Sequence, residues 1–287
     1  VAHQEHGVIV MQPRDYQIDI WNKLIKYNRN IILMSRQSGK SASVAAYLLW
    51  FAIFNDNKNI GIVSNKENAA KSFLLRLKDS YMWLPEWLKP GIIKWAEKSV
   101  RFENGTVIQI SATSGDAFRG EPLAVLVADE FGAVDPPWKA EEFWTSVYPT
   151  VSASKTAKVI IISTAKGMHN QFHKIWIGAK NKTNSFIPTK YDWRVVPGRD
   201  DEWAKKEMGN IGKTQFNQEF ACEFLGSTNT VLDPNTLDFL VNQPLIEPKL
   251  LQLHDNFRIY EKPIKGENYI LGVDTGKGSG LDYSVIQ

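Results

Sequence analysis

The chain has a single cysteine, Cys222, among its 287 residues, which excludes an intrachain disulfide framework and any metal site built from several cysteines. This usage is typical of a reducing cytosol, and the preceding Phe220 and Ala221 indicate core packing for the thiol. Long apolar runs are also lacking. The longest, residues 44–54, is well short of the roughly 20 residues that span a bilayer. Since no basic-then-apolar leader opens the sequence, we expect neither a signal peptide nor a membrane anchor.

A strong net charge is absent as well. The formal charge is +3, with 43% hydrophobic and 23% charged residues, and these ordinary globular values exclude disordered and fibrous classes. The charge is unevenly distributed, because residues 155–213 contain twelve Lys and Arg against five Asp and Glu. This excess predicts a basic surface that faces nucleic acid or, equally well, a solvated lysine-rich face.

Short apolar runs that favour strands alternate with helical patterns, as is typical of a doubly wound parallel sheet. The predicted strands are residues 31–34, 60–63, 107–110, 123–128 and 159–163, and the predicted helices are residues 15–27, 41–54, 66–81, 139–147, 170–179 and 213–224. Residues 95–110 predict two short strands that turn at Asn104 and Gly105. The fold class that follows is α/β, with a parallel sheet flanked by helices.

Shifts in composition divide the chain into four segments. Residues 1–165 form the sheet-based core, and residues 166–226 form a smaller helical lid subdomain. Residues 227–266 contain four prolines and predict a linker. Residues 267–287 hold a buried strand that ends at Asp274 and a second strand after it. Because a two-stranded hairpin alone is marginal in water, we expect these strands to begin a further domain.

The strongest local pattern is a turn between a buried strand and a helix. It follows residues 31–34 and reads Ser35-Arg36-Gln37-Ser38-Gly39-Lys40-Ser41. Backbone N–H groups at such a turn cradle phosphates at the helix N-terminus, where Lys40 reaches the β- and γ-phosphates and Ser41 binds Mg²⁺. Met34 stands where the usual phosphate-loop pattern has its first glycine, and the remaining pattern alone also fits an ordinary helix start.

A second strand, residues 123–128, ends in two adjacent carboxylates, Asp129 and Glu130. On its own this pair is also compatible with a strand that ends in a polar turn. Both patterns follow apolar strands and occur in the right order, so together they predict one ATP-hydrolysing site. Asp129 would anchor the water shell of Mg²⁺ and Glu130 would polarise the attacking water.

In this order the motifs resemble those of the large terminase subunits of tailed bacteriophages, the motors that pump DNA into preformed heads, and most closely their myovirus branch. The resemblance runs from about Gln12 to the end and includes residues 12–17, 35–41 and 160–167. It implies that Gln17 recognises adenine, that Ser35, Arg36, Gln37, Ser38 and Gly39 line the phosphates, and that Thr164 belongs to a coupling motif near the γ-phosphate. The missing first glycine is a habit of this family.

Phosphoryl transfer is commonly assisted by a guanidinium that stabilises the negative charge on the oxygens of the transferring phosphoryl group. The resemblance implies that Arg119, in the segment 116–120, is inserted into the site by a neighbouring subunit. Arg36 is the rival for this role from within its own subunit. Arg119 is also compatible with an ordinary surface arginine beside a glycine turn.

The resemblance further implies an RNase H-like nuclease whose first metal-binding aspartate is Asp274; because the other carboxylates of a two-metal site are missing, we expect no DNA cleavage from this chain. The implied partners are double-stranded DNA, portal protein and the small terminase subunit. The resemblance also implies a monomer that assembles into a ring on the prohead in the host cytoplasm.

Two alternative functions stay open. One is a superfamily 2 helicase-type translocase, and the other is an assembly or DNA-binding subunit with a degenerate nucleotide site.

Overall fold

The computed structural model describes residues 2–3, 7–8, 10–225, 247–252, 257–268, 270, 273–274 and 285–286. The chain divides into two compact units, Val1–Pro234 and Asn235–Gln287, and each is described by itself. Among the helices in the described residues, none has both the length and the hydropathy that crossing a bilayer requires.

The first unit contains a short antiparallel pair, β1 (Ala2–His3) with β2 (Gly7–Val8), and one eight-stranded sheet. The strands of the sheet are β3 (Arg29–Met34), β4 (Asn59–Ser64), β5 (Ile92–Trp95), β6 (Ser99–Phe102), β7 (Val107–Ala112), β8 (Val125–Asp129), β9 (Lys158–Ser163) and β10 (Ile187–Tyr191). Their spatial order is β10-β3-β9-β8-β4-β7-β6-β5, parallel from β10 to β7 and antiparallel in the last two pairings. The predicted α/β class is confirmed.

Helices cover both faces of this sheet. Those in the described residues are α1 (Asp15–Lys26), α2 (Lys40–Phe54), α3 (Glu67–Met82), α4 (Trp138–Ser152), α5 (Gln171–Lys180), α6 (Asp201–Ile211) and α7 (Lys213–Glu219). Apolar periodicity does not predict α6, although its start is well signalled, because the Asp200 carboxylate accepts a hydrogen bond from the Trp203 N–H. Gly212, at φ +83°, separates α6 from α7, which ends at Glu219 rather than at residue 224.

Successive residues along the parallel strands pack into different cores. In β3, Ile32 and Met34 join the core formed with α1, α2 and α3, whereas Ile31 and Leu33 join the core formed with α4 and α5. Burial on both faces explains why these strands read as continuous apolar runs. The loops that follow the carboxyl ends of the parallel strands lie at one edge of the sheet, which is where such sheets bind ligands.

The predicted lid subdomain, residues 166–226, does not begin a separate core at residue 166. Helix α5 packs in the core of α4, and β10 pairs in parallel with β3 at the sheet edge. The pattern of β10 does not predict a strand, since Pro188 and Lys190 interrupt it. A smaller aromatic cluster does have its own packing, and its members are Trp193, Trp203, Ala204, Phe216 and Phe220.

The described residues of the second unit form two antiparallel strand pairs. Strand β11 (Leu250–Gln252) pairs with β12 (Phe257–Ile259) within the segment predicted as a linker. Strand β13 (Val273–Asp274) pairs with β14 (Val285–Ile286), in the segment predicted to hold two strands. The side chain of Asp274 lies outside the described residues, so its role as a metal ligand stays a prediction.

Candidate functional site

The turn between β3 and α2 is fixed by its own hydrogen bonds and by α1. The φ of Gly39 is +78°, a left-handed backbone that favours glycine, and a Cβ atom there would lie 3.0 Å from the side-chain nitrogen of Gln17. The Ser38 hydroxyl donates to the Ser35 carbonyl at 2.6 Å, and the Tyr16 hydroxyl donates to the Ser38 carbonyl at 2.7 Å. Hydrogen bonds within the predicted phosphate loop and to α1 therefore support its backbone.

The N-terminus of α2 supplies the positive end of this loop. Lys40 and Ser41 stand in its first turn, where backbone N–H groups have no acceptor within the helix. That turn contains no acidic residue that would compete for these groups. The helix dipole, the N–H groups and the Lys40 charge together favour an anion at this position.

The sheet order brings the two sequence motifs together. Strand β9 lies between β3 and β8, and all three are parallel, so their carboxyl ends share one edge. Across that edge Lys40 Nζ lies 2.8 Å from Glu130 Oε1. Ser41 Oγ lies 3.2 and 3.3 Å from the two carboxylate oxygens of Asp129. The structure thus pairs each residue of the loop's end with one residue of the acidic pair.

Asp129 closes β8 with 6% of its surface exposed. Burial, and next the negative charge of Glu130, raise the pKa of Asp129 to about 6, against the opposing effects of Lys40 and Ser41. A hydroxyl and a carboxylate in contact are oxygen ligands of the kind that Mg²⁺ takes. Mg²⁺ is usually held by one or two carboxylates together with phosphate and water, and the oxygens of Ser41 and Asp129 fit such a cation.

Asparagine at position 129 should stabilise the nucleotide-free protein at neutral pH. The pKa of Asp129 is raised from 3.8 to about 6, so its contribution to stability is present below pH 4 and is lost as the pH rises through 6. Asp129→Asn should increase the free energy of unfolding by about 1–3 kcal/mol near pH 7.5, with no gain near pH 4. Urea unfolding across this range measures the difference, and a variant less stable than wild type at the higher pH would contradict it.

The tips of β8 and β9 are fastened to each other. Glu130 has a left-handed backbone, φ +52°, which is uncommon for a residue with a side chain. The Gly132 N–H donates to Ser163 Oγ at 3.0 Å, and a Cβ atom on Gly132 would lie only 2.8 Å from that oxygen. Ser163 therefore links the acidic loop to the predicted coupling motif. Thr164 is buried beside it, and its contact with the γ-phosphate stays a prediction.

Gln17 lies in the first turn of α1, against the phosphate loop. Its Oε1 accepts a hydrogen bond from the backbone N–H of Arg14 at 3.0 Å, while its side-chain nitrogen lies next to Gly39. The side-chain oxygen of Gln17 therefore accepts a hydrogen bond at the start of α1, and its side-chain nitrogen is directed towards the predicted phosphate loop. Adenine recognition by Gln17 stays a prediction.

Arg36 is held by α7 rather than by the acidic pair. Its side chain is 59% exposed, with Nη1 3.5 Å from Glu219 Oε2, and its backbone N–H donates to the Glu219 carbonyl at 2.8 Å. The Glu219 side chain is buried and also contacts Lys166 Nζ. Two cations therefore share one buried carboxylate, and Arg36 would have to leave it to reach a nucleotide.

Arg119 lies in the connection between β7 and β8 with 74% of its side chain exposed. Its ion-pair partner among the described residues is Asp116, 3.8 Å away, and surface contacts of this kind contribute little. Among the described ion pairs, Arg119 is joined to Asp116 and not to Glu130. Its role in hydrolysis, from a neighbouring subunit, stays a prediction.

Sequence reasoning misses three side chains that are connected to the phosphate loop. Arg199 donates to the Ser35 hydroxyl and to the Arg36 carbonyl, both at 3.0 Å. Glu219 and Lys166 form the buried ion pair beside Arg36. Arg199 and Glu219 belong to no contiguous motif. Lys166 lies within the motif at residues 160–167, but nothing in that motif connects it to Glu219 or to β3.

The predicted basic surface is smaller than the charge count suggests. Lys158 donates to the carbonyls of Leu24 and Tyr27 at the end of α1, at 2.8 and 3.2 Å, so its charge serves to cap a helix. Arg199 bonds the predicted phosphate loop, and Lys166 pairs with Glu219. The lysines of this segment that remain exposed are Lys155, Lys174, Lys180, Lys182, Lys190, Lys205, Lys206 and Lys213.

Known proteins are similar to this chain in sequence and in fold. Residues 31–237 match the family described as terminase large subunit, T4likevirus-type, N-terminal. The large terminase subunit of Thermus phage G20c is 26% identical over 190 residues, which cover 61% of this chain and 36% of that protein. The ATPase domain of the Thermus phage P74-26 large terminase has a TM-score of 0.61 at 20% identity, covering 75% of this chain and 94% of that one. The large terminase of a thermophilic bacteriophage in complex with ADP has a TM-score of 0.58 at 12% identity, covering 74% and 53%.

The solved structures, the curated relatives and the family match each support a different conclusion about this chain. At these low identities the solved structures show the fold alone. The curated relatives are much longer proteins, and the chain spans about a third of their length. The family match runs from β3 through the acidic pair and past α7, and so contains both halves of the site. The resemblance drawn from the motifs is confirmed: this chain belongs to the terminase large subunit family of T4likevirus type, whose N-terminal region it contains.

Proposed function

We propose that this chain is the ATP-hydrolysing part of a motor that moves viral double-stranded DNA into a prohead. The observation that carries the proposal is the joined pair of contacts, Lys40 with Glu130 and Ser41 with Asp129. They gather a phosphate ligand, a metal site and a water-polarising carboxylate at one sheet edge. Membership of the terminase family supports DNA packaging as the setting, and the ADP complex of the thermophilic phage's large terminase supports an adenine nucleotide as the ligand.

Each side chain has a distinct part in the proposed hydrolysis. The loop binds the phosphates through its N–H groups, and Lys40 exchanges Glu130 for the β- and γ-phosphates. This exchange releases the Glu130 carboxylate, which then accepts the proton of the attacking water. Ser41 and Asp129 would hold Mg²⁺, which when bound would supply positive charge to the phosphates. The 2.8 Å ion pair thus keeps the general base occupied until ATP takes Lys40 away from it.

The proposed assembly is a ring on the portal in the host cytoplasm, with the small terminase subunit as a further partner. Exposure of Arg119 supports its insertion into a neighbour's site, because a side chain so little engaged in its own chain is available to another. Arg36, released from Glu219, is the alternative within the same subunit. Asp274 is proposed as one metal ligand of the nuclease domain that such motors carry.

Translocation is tested on double-stranded DNA that carries a triplex-forming third strand. We expect the wild-type protein, assembled with portal, to displace the third strand with ATP and Mg²⁺ and to fail with a non-hydrolysable analogue. Lys40→Ala is the matched inactive protein. The duplex itself should stay intact, and its separation into single strands would favour the helicase alternative. Hydrolysis without displacement, although the protein is bound to DNA and portal, would contradict the proposal.

A further inference from the structure

One guanidinium, that of Arg199, bonds three consecutive residues of the phosphate loop. Its Nη1 donates to the Ser35 hydroxyl and to the Arg36 carbonyl, each at 3.0 Å, and its Nη2 donates to the Gln37 carbonyl at 3.3 Å. These acceptors are groups that a phosphate does not use, because a phosphate on such a loop takes backbone N–H donors. Arg199 and a nucleotide can therefore bind the loop at the same time, from different sides.

The same guanidinium rests on the aromatic cluster. Its central carbon lies 4.8 Å from the centre of the Trp203 ring and 5.3 Å from that of Phe220, and these two rings pack edge to face. Trp203 belongs to α6, and Phe220 directly follows α7. Arg199 is thus in contact with the loop on one side and with the packing of both helices on the other.

The charge of Arg199 is balanced differently from that of Arg36. Arg36 pairs with the Glu219 carboxylate, whereas Arg199 contacts carbonyl oxygens, a hydroxyl and ring faces. The carboxylate of Glu207 acts on Arg199 only through its charge, and burial lowers the pKa of Arg199. The guanidinium itself bonds the loop, so its positive charge favours an anion bound there.

We propose that Arg199 is a positioning residue that couples nucleotide binding on the phosphate loop to the aromatic cluster formed by α6 and α7. The inference rests on the proposed function, since a nucleotide must bind the loop. When the loop adjusts to the phosphates, its acceptors at residues 35–37 move, and the guanidinium passes that movement to Trp203 and Phe220. Without Arg199 the loop and the cluster respond independently.

The chain offers a matched control for this residue. The guanidinium of Arg194 lies 4.6 Å from the Trp193 ring of the same cluster and bonds Asp192 at 2.9 Å, so it touches the cluster without bonding the loop. The experiment compares wild type, Arg199→Ala, Arg199→Lys and Arg194→Ala. Two quantities are measured: the Kd for ATP with Mg²⁺, and the slowing of amide hydrogen exchange by saturating ATP analogue.

In wild type we expect the nucleotide to slow exchange both in the loop and in residues 201–219. In Arg199→Ala the loop should still be protected at saturation, residues 201–219 should lose their response, and Kd should rise about tenfold or more, the scale of one lost hydrogen bond to a charged group. Arg199→Lys keeps the positive charge but loses the planar set of N–H donors. It should therefore recover part of the affinity for ATP and little of the protection of residues 201–219. Arg194→Ala should match wild type.

Two results would overturn the inference: an Arg199→Ala protein with wild-type affinity and wild-type protection of residues 201–219, or equal losses in Arg199→Ala and Arg194→Ala. If Arg199→Ala is unfolded by circular dichroism, full coupling in Arg199→Lys would overturn it instead. Failure of the proposed function is a separate result. In that case wild type and Lys40→Ala would be alike in binding no ATP, whereas ATP binding in wild type without any response of residues 201–219 rejects only the role of Arg199.

Discussion

Glutamine in place of Glu130 should leave ATP binding intact and stop hydrolysis. The amide keeps the size of the side chain but cannot accept the proton of the attacking water, which should cost on the order of two to four decades in rate. Binding should be as tight as in wild type or tighter, because Lys40 no longer has to leave a carboxylate at 2.8 Å. Phosphate release and equilibrium nucleotide binding, measured on the same preparation, separate the two effects.

Lys40→Ala should differ from Glu130→Gln by losing productive ATP binding, because Lys40 lies in the first turn of α2, on the predicted phosphate cradle. The matched control for Glu130→Gln is Glu86→Gln, which makes the same substitution in a surface ion pair of similar length, 2.6 Å, with Lys89. Glu86→Gln should hydrolyse ATP like wild type. The same wild-type rate in Glu130→Gln would show that the general base has been assigned wrongly.

Two inactive proteins, Arg119→Ala and Glu130→Gln, should recover ATPase activity when they are mixed. Arg119→Ala should barely change nucleotide binding by the monomer, because this exposed residue lies outside its own cradle. It should remove most of the assembled activity, since an arginine finger contributes roughly three to five decades in rate. At mixed interfaces an intact Glu130 meets an intact Arg119, so activity should return and should grow with protein concentration and added portal.

Arg101→Ala, which removes an exposed arginine on β6, serves as the control for surface charge and should stay fully active. Assembly of both inactive proteins has to be verified by sedimentation. If they assemble and their mixture stays as inactive as its components, Arg119 does not act between subunits. Arg36 would then be the better candidate, and Glu219 would be the residue from which it is released.

Contiguous patterns made much of the site predictable. The turn at residues 35–41 and the strand that ends in Asp129 and Glu130 each carry their chemistry in a few adjacent residues. Parallel strands place such ends at one edge of a sheet, so the meeting of the two motifs follows from topology. The insertion of β9 between β3 and β8 is consistent with the coupling motif at residues 160–167, because that strand then ends between the other two.

The contacts that support the loop were not predictable, for a physical reason. Arg199 and Glu219 are polar residues in short, weakly periodic segments, and Lys166 lies in the predicted coupling motif. The partners of all three are determined by tertiary packing. Strand β10 is a similar case, because Pro188 and Lys190 interrupt the apolar pattern that would predict it. It nevertheless pairs with β3, and the Tyr191 carbonyl accepts a hydrogen bond from the Ser35 N–H at 2.9 Å. Long-range hydrogen bonds of this kind leave no local sequence pattern.

The most direct test of the central claim, that Lys40, Ser41, Asp129 and Glu130 form one hydrolytic site, is an experimental structure with a non-hydrolysable ATP analogue and Mg²⁺. We predict that Lys40 Nζ leaves Glu130 for the β- and γ-phosphates, and that Glu130 lies beside the γ-phosphate. The cation should lie about 2.1 Å from Ser41 Oγ, with Asp129 bound to it directly or through water. A nucleotide bound elsewhere, with the 2.8 Å contact between Lys40 and Glu130 unchanged, would contradict the account.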